Sequence, residues 1–155
     1  QVGVGTYLCL NLYDRLREIT PSRAVAEKAM ADFSSAAWEQ EVRRIFGKAA
    51  QALIDSEYTE WHKNDPAAHK ERLTKILDNW DGILTIMQEE LPDKAHIVAL
   101  MQKVGMPMHP DDISENEQDT RDAFVASRDI RAKYLTSSLL WDLGLLYTFP
   151  INECR

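Results

Sequence analysis

Histidine and cysteine are the residue types best suited to holding a metal ion, and this chain contains four histidines and two cysteines. They are His62, His69, His96, His109, Cys9 and Cys154. Zinc sites use short paired spacings, such as the two histidines of H-E-x-x-H on one helical face. The segment Asp65-Pro66 breaks any helix between His62 and His69, and neither cysteine has a close partner. We therefore expect surface or cap histidines and assign no metal ligand.

A glycine pair near the start invites comparison with nucleotide-binding loops. Residues 3–8 read G-x-G-x-x-L, one glycine short of the dinucleotide fingerprint. No strand precedes them, and no acidic partner follows about twenty positions on within a βαβ unit. We assign no cofactor-binding residue to this loop.

Carboxylates cluster between residues 111 and 122, without the glycine and the twelfth-position glutamate of a calcium loop. They are Asp111, Asp112, Glu115, Glu117, Asp119 and Asp122. We interpret them as favourable charge at a helix N-terminus together with a solvated face. A Ser-His-Asp triad is defined by geometry rather than by spacing, so no catalytic residue is assigned either.

Apolar periodicity predicts an all-α fold, in which a single bundle-like domain over residues 1–155 is built around the first helix. Residues 2–13 carry no charged side chain, and a helix that is apolar on all sides is one that other helices surround. Gly3 and Gly5 cost about 1 kcal/mol each relative to alanine. Such glycines are tolerated where another backbone comes close or where a helix begins.

Local signals mark the ends of the next helices. Thr20-Pro21 predicts an N-terminus, Ser34 or Ser35 predicts another, and Gly47 predicts a bend. Asn64-Asp65-Pro66 opens the helix with the strongest amphipathic stripe, which we expect to continue to Leu91. The two predicted buried stripes consist of Trp38, Val42, Ile45, Phe46, Ala49 and Leu53, and of Leu73, Ile76, Leu77, Trp80, Ile83, Leu84 and Met87.

The second half of the chain shows the same signals. A helix after Pro92 is predicted to end at Gly105, with four residues inward: Ile97, Leu100, Met101 and Val104. Residues 114–117 resemble a capping box for a helix running to about Tyr134. Ser137 or Ser138 should cap a last short helix that ends at Gly144, and we expect residues 147–155 to be loose.

Composition excludes several function classes. With 45% hydrophobic residues, a net charge of −7 and a pI of about 5.1, the chain offers no electrostatic footprint for nucleic acid or anionic lipid. No apolar run reaches the roughly 18 residues of a membrane span, and no basic region of a signal peptide is present. We expect a cytoplasmic protein with two free thiols, in which the four tryptophans pack in the core.

Three segments, however, resemble a known family in their order and spacing: QVGVGTYLCLNLYDRL, KVGMPMHPDDI and KYLTSSLLWDLGLL. They are similar to the C-terminal helical domain of sn-glycerol-1-phosphate dehydrogenases, in the superfamily of iron-containing alcohol dehydrogenases and dehydroquinate synthases. The resemblance spans most of the chain. Residues 135–138 are more polar than the family pattern.

The resemblance implies a parent enzyme with a separate N-terminal domain that binds NAD(P). In that family an Asp and two His residues hold zinc or nickel, which polarises dihydroxyacetone phosphate during its reduction to glycerol 1-phosphate. The last metal histidine falls just before the segment that matches residues 1–5, so no ligand is carried over to this chain. We expect a fragment of a longer enzyme, inactive alone, whose partner is its own N-terminal domain and which could form homo-oligomers.

Two other functions stay open at the level of sequence. The chain could be a freestanding helical interaction module with a groove for a partner helix. A helix-turn-helix over residues 94–134 is a third interpretation, against which the acidic composition speaks.

Overall fold

A computed structural model describes residues 1–151 and has the predicted all-α fold, with no strand among those residues. The tail beyond Ile151, including Cys154 and its predicted free thiol, lies outside the described residues. The helices are α1 (Val2–Leu16), α2 (Arg23–Ala31), α3 (Ser35–Phe46), α4 (Ala50–Ser56), α5 (Pro66–Asp78), α6 (Trp80–Glu90), α7 (Lys94–Lys103), α8 (Glu117–Ala126) and α9 (Thr136–Asp142). Short 3-10 turns cover Gly47–Ala49 and Pro110–Ile113, and a π-helical turn covers Glu57–Trp61.

The helices form two compact units, each assembled from separate stretches of chain. The first unit comprises Gln1–Thr20, Asn79–Arg121 and the described part of Pro150–Arg155. The second comprises Pro21–Asp78 and Asp122–Phe149. One boundary falls between α5 and α6 and another falls inside α8, so no flexible linker marks either of them in the sequence.

In the first unit, α1 buries one face rather than its whole circumference. Val4, Leu12 and Leu16 are buried, whereas Val2 is 83% exposed and Cys9 is also exposed. Neighbouring helices therefore do not surround α1 on all sides, as its composition led us to expect. Asp14 accepts a hydrogen bond from Lys94 on α7 at 2.7 Å, which ties the polar end of α1 to its partner helix.

The single helix predicted between Pro66 and Leu91 is wrong, because α5 ends at Asp78 and α6 begins at Trp80. Asn79 lies between them with φ −121° and ψ 19°, outside the helical region. Asparagine favours such breaks because its side chain competes for backbone hydrogen bonds. The two halves of the predicted stripe consequently belong to different units.

Helix α7 also differs from its prediction. It ends near Gly105, whose positive φ of 64° fits the expected stop. Met101 is buried as predicted, but Leu100 is 48% exposed and Val104 is 69% exposed. The apolar face that the periodicity predicts for α7 is therefore wider than the face that other residues of its unit bury.

One buried cluster of the second unit lies between α3 and α4. Trp38, Val42, Ala50 and Ile54 form a buried cluster. Gly47, with φ 53°, interrupts the helix as predicted, and the interruption shifts the helical phase. Ala50 and Ile54 are therefore the fully buried residues after the break, whereas the predicted Leu53 is half-buried and packs against the cluster and the predicted Ala49 is exposed.

Some of the predicted helix starts are confirmed. The Ser34 hydroxyl accepts from the backbone N–H of Ala37 at 3.3 Å and caps α3. The carboxylate of Asp65 accepts from the N–H of Ala68 at 2.7 Å, which caps the start of α5. These caps satisfy backbone donors that have no partner inside the helix.

Two other predicted caps are wrong. Helix α2 is capped by Ser22 rather than by Thr20. Helix α8 starts after Asn116, whose side chain accepts from the N–H of Asp119 at 2.9 Å, so residue 114 does not open it. In each case a short polar side chain nearer the first helical residue provides the cap.

The last elements differ from their predictions, and the expected cap at Ser137 or Ser138 is wrong because both residues lie inside the last helix. Helix α8 ends at Ala126, before Ile130 and Tyr134. Helix α9 starts at Thr136, and the Ser138 hydroxyl accepts from the N–H of Leu135 at 3.3 Å. Residues 147–155 were expected to be loose, yet the apolar side chains of Phe149 and Ile151 are buried.

Replacing Gly144 by alanine should destabilise the protein more than the same change at Gly47. Both glycines have positive φ, 74° and 53°, which costs an alanine about 1–2 kcal/mol. A Cβ at Gly144 would also lie 2.8 Å from Ala29 Cβ and 3.0 Å from the Val25 carbonyl oxygen, whereas none of the described atoms is within 4 Å of one at Gly47. Urea unfolding of the two variants measures the difference, and equal losses would contradict the packing at Gly144.

Candidate functional site

Two of the three segments that carry the family resemblance meet in the first unit. A Cβ added to Gly3 would lie 2.5 Å from both Met106 Cγ and the Pro107 carbonyl oxygen. The ring of Tyr7 packs edge-on against His109 with 5.0 Å between centroids. Residues about a hundred positions apart in sequence therefore form one contact surface, which we call the Gly3 junction (Gly3, Tyr7, Met106, Pro107 and His109).

The two glycines of α1 have different surroundings. Gly3 is buried against the Met106 side chain and the Pro107 carbonyl oxygen, which is the close approach that glycine permits. Gly5 is exposed, and a Cβ there would meet nothing within 4 Å among the described residues. The expectation of close approach is thus confirmed at Gly3, while Gly5 has no packing reason to be glycine.

The turn after Met106 is held by one carboxylate. Asp112 accepts from the backbone N–H groups of Met108 at 3.0 Å and His109 at 2.9 Å. These hydrogen bonds lower the pKa of Asp112 below its usual value, because they stabilise the charged form. This member of the acidic cluster therefore stabilises the Gly3 junction.

The four histidines lie in separate surroundings, and one contradicts the prediction of surface or cap positions. His62 and His96 are exposed, His109 is half-buried, and His69 is only 3% exposed. The Nε2 atom of His69 lies 3.0 Å from the carbonyl oxygen of Asp142. Its ring also packs edge-on against Trp141, with 5.3 Å between centroids.

A buried charge pair in the second unit was missed by sequence reasoning. Asp142 is 1% exposed, and its carboxylate accepts from Arg72 Nε and Nη2 at 2.9–3.1 Å. The hydroxyl of Tyr134 donates to the same carboxylate at 2.8 Å. The only sequence signal is one charged residue inside the apolar run LLWDLGLL, which indicates a buried partner but does not say which residue it is.

A second buried cation lies close by. Arg128 is 1% exposed, stacks over the Trp141 ring at 4.0 Å, and donates to Asp129 and Asn64 at 2.8 and 2.6 Å. Asp129 also accepts from Trp38 Nε1 at 3.0 Å. We call this set, with Arg72, Asp142 and Tyr134, the buried polar network. Its charges are paired, which is what a structural role requires.

The side chain of Lys63 joins the buried polar network by donating hydrogen bonds to the backbone. Its ammonium group donates to the carbonyl oxygens of Arg128 and Arg131 and lies 4.7 Å from the centre of the Trp61 ring. Partial burial lowers the pKa of Lys63. The amine therefore fixes the irregular segment between α8 and α9.

Within residues 1–151, no group of three or more His, Cys, Asp or Glu side chains could hold a metal ion. None of the helices in that part of the chain is both long and apolar enough to cross a membrane. The tryptophans predicted for the core are buried at Trp38 and Trp141 and half-buried at Trp61 and Trp80.

Comparison of the chain with protein-family models, with curated proteins and with solved structures finds no match. The resemblance to the dehydrogenase family therefore depends on the three sequence segments alone.

Replacing Gly3 and Gly5 by alanine should have opposite effects on stability. At Gly3 the new methyl group would collide with a backbone oxygen at 2.5 Å, which should cost about 1–3 kcal/mol. At Gly5 the space is open, so the better helix propensity of alanine should add up to about 1 kcal/mol. Urea unfolding of both variants checks this, and a neutral Gly3→Ala would show that the junction is not tightly packed.

Replacing Asp142 by asparagine should cost about 2 kcal/mol or more, because Arg72 then loses its charged partner in a largely buried site. The control is Glu71→Gln on the same helix as Arg72. Glu71 pairs with Lys75 at 2.7 Å, but both side chains are about 70% exposed, so its loss should hardly change the unfolding midpoint. Equal effects in the two variants would contradict a structural role for the Asp142 pair.

Proposed function

We propose that this chain is the helical scaffold portion of a cytoplasmic, NAD(P)-dependent and metal-dependent dehydrogenase of the sn-glycerol-1-phosphate dehydrogenase type. The parent enzyme would reduce dihydroxyacetone phosphate to glycerol 1-phosphate. The chain alone would be inactive, since the resemblance places the nucleotide fold and the metal ligands upstream of Gln1.

The Gly3 junction is the observation that carries the proposal. Two segments were matched to the family by sequence alone, and they pack against each other through Gly3, the Met106 side chain and the Pro107 carbonyl oxygen. If the two segments matched the family only by chance, there would be no reason to expect them to contact each other. Their contact supports a scaffold role for this part of the chain.

The third segment supports the proposal in a different way. Within KYLTSSLLWDLGLL, residues 137–143 are buried without exception, and they include Asp142 of the buried polar network. The segment is therefore a structural element of its unit. This agrees with a scaffold role, in which its residues position other parts of the protein rather than reacting themselves.

Residues 1–151 do not themselves form the metal site that the family requires. Among residues 1–151 no suitable ligand group exists, so we derive no catalytic step through a metal. In the proposed enzyme the bound metal would act as a Lewis acid. The contribution of this chain would be to hold α1 rigidly at the Gly3 junction, so that the segment preceding Gln1 is fixed in place.

The alternative is a freestanding helical module that binds a partner protein. The exposed apolar residues Leu100, on α7, and Val104, directly after it, favour it, because they lie four positions apart and are 48% and 69% exposed. Such a face is typical of helix-in-groove recognition. The two proposals differ in what must precede Gln1 in the gene.

The decisive test is the coding sequence upstream of Gln1, followed by an activity assay. We expect His-Gly-Glu or His-Gly-Asp immediately before Gln1, and a nucleotide-binding domain further upstream. The full-length protein should oxidise NADH or NADPH with dihydroxyacetone phosphate in the presence of zinc or nickel, and the 155-residue chain should not. In the full-length protein, Gly3→Ala should lower kcat, whereas Gly5→Ala should leave it nearly unchanged.

Three outcomes would overturn the proposal. A start codon adjacent to Gln1 would favour the interaction module, and turnover by the 155-residue chain alone would contradict the scaffold role. Tight stoichiometric zinc binding by this chain would place the metal ligands within it.

A further inference from the structure

The second unit contains a cavity that neither the scaffold role nor the resemblance uses. Its volume is about 440 Å³, within the range of small-molecule sites. Its walls are chiefly aromatic and aliphatic, and they include Phe33, Trp38, His69, Trp141 and Leu146. Of these, Trp38, His69, Trp141 and Leu146 are each no more than 7% exposed, so the inner wall is fixed by buried side chains.

Several polar groups around the cavity already have partners. Asp32 pairs with Lys28 at 2.6 Å, and Glu41 pairs with Arg44 at 2.8 Å. The indole N–H of Trp38 donates to Asp129. Because both carboxylates on the cavity wall are neutralised, nothing there offers an unpaired charge to a ligand. A charged molecule would lose its hydration without compensation.

His69 differs from these groups, because one of its ring nitrogens is available to a ligand. Its Nε2 atom lies 3.0 Å from the Asp142 carbonyl oxygen, which can only accept, so Nε2 carries the proton. In the neutral ring the other nitrogen, Nδ1, is then a hydrogen-bond acceptor. Among the described residues, Nδ1 makes no hydrogen bond, although the ring belongs to the wall of the cavity. The site thus combines flat apolar walls with an available acceptor at His69 Nδ1.

We propose that this cavity binds an uncharged, flat aromatic molecule that carries one O–H or N–H donor, such as a fused-ring phenol or an indole. The aromatic walls supply the apolar contact, and the donor pairs with His69 Nδ1. The acceptor is pre-oriented, because the backbone of α9 fixes the tautomer of His69 through the Asp142 carbonyl.

Binding of 2-naphthol and of 2-methoxynaphthalene to the 155-residue chain tests the proposal, because the two probes share the ring system and only the first has a donor. We expect saturable binding of 2-naphthol at one site, measured by its fluorescence and by thermal stabilisation. The methoxy probe should bind about fivefold more weakly, as expected for the loss of one hydrogen bond.

Two alanines at the start of α3 provide a matched pair of variants. Ala37 lies on the cavity wall, whereas the equally exposed Ala36 does not. Ala37→Phe should fill the cavity and abolish binding, and Ala36→Phe should leave it unchanged. Circular dichroism establishes that both variants remain folded.

Absence of 2-naphthol binding would overturn the proposal. Equal affinity for both probes would show that His69 does not recognise the donor, which also contradicts it. Unchanged binding to Ala37→Phe would place the probe elsewhere on the surface. None of these results bears on the dehydrogenase assay, so the two proposals can fail separately.

Discussion

The second unit depends on the pairing of one buried carboxylate, that of Asp142. A carboxylate that is 1% exposed is strongly unfavourable unless it is neutralised and hydrogen-bonded. Arg72 and Tyr134 supply that compensation through the side chain, while His69 binds the carbonyl group of the same residue. One residue of α9 is thereby fixed to α5 at two points. The same contacts orient the inner wall of the cavity, because Trp141 and His69 contact each other edge-on.

Features decided by local interactions could be predicted from the sequence. The cap at Ser34, the bend at Gly47 and the stop at Gly105 follow from hydrogen bonds or backbone angles within a few residues. The all-α class follows from periodicity in the same way. These predictions need no knowledge of which helices are neighbours, although the local signals at Thr20 and at residues 114–117 were wrong, because a polar side chain nearer the helix provides each cap.

Features decided by distant partners could not be predicted in this way. His69 was expected on the surface because histidine usually is, but a carbonyl group 73 residues away satisfies it in the interior. The stripe from Leu73 to Met87 has one continuous period, yet its halves lie in different units. The periodicity of apolar residues indicates that one face of a helix is apolar. It does not record which neighbour covers that face, as the exposed Leu100 and Val104 show.

The discontinuous make-up of both units has a consequence for biosynthesis. Helix α1 leaves the ribosome well before its partner α7, which begins only at Lys94, after the whole of Pro21–Asp78 has been made. The apolar face of α1 therefore stays uncovered while the intervening set of helices is translated. That set is itself incomplete until residues 122–149 appear. Neither unit can complete its core until its last stretch of chain has been made. The nascent chain therefore exposes hydrophobic surface for most of its synthesis, which is the condition under which chaperones act.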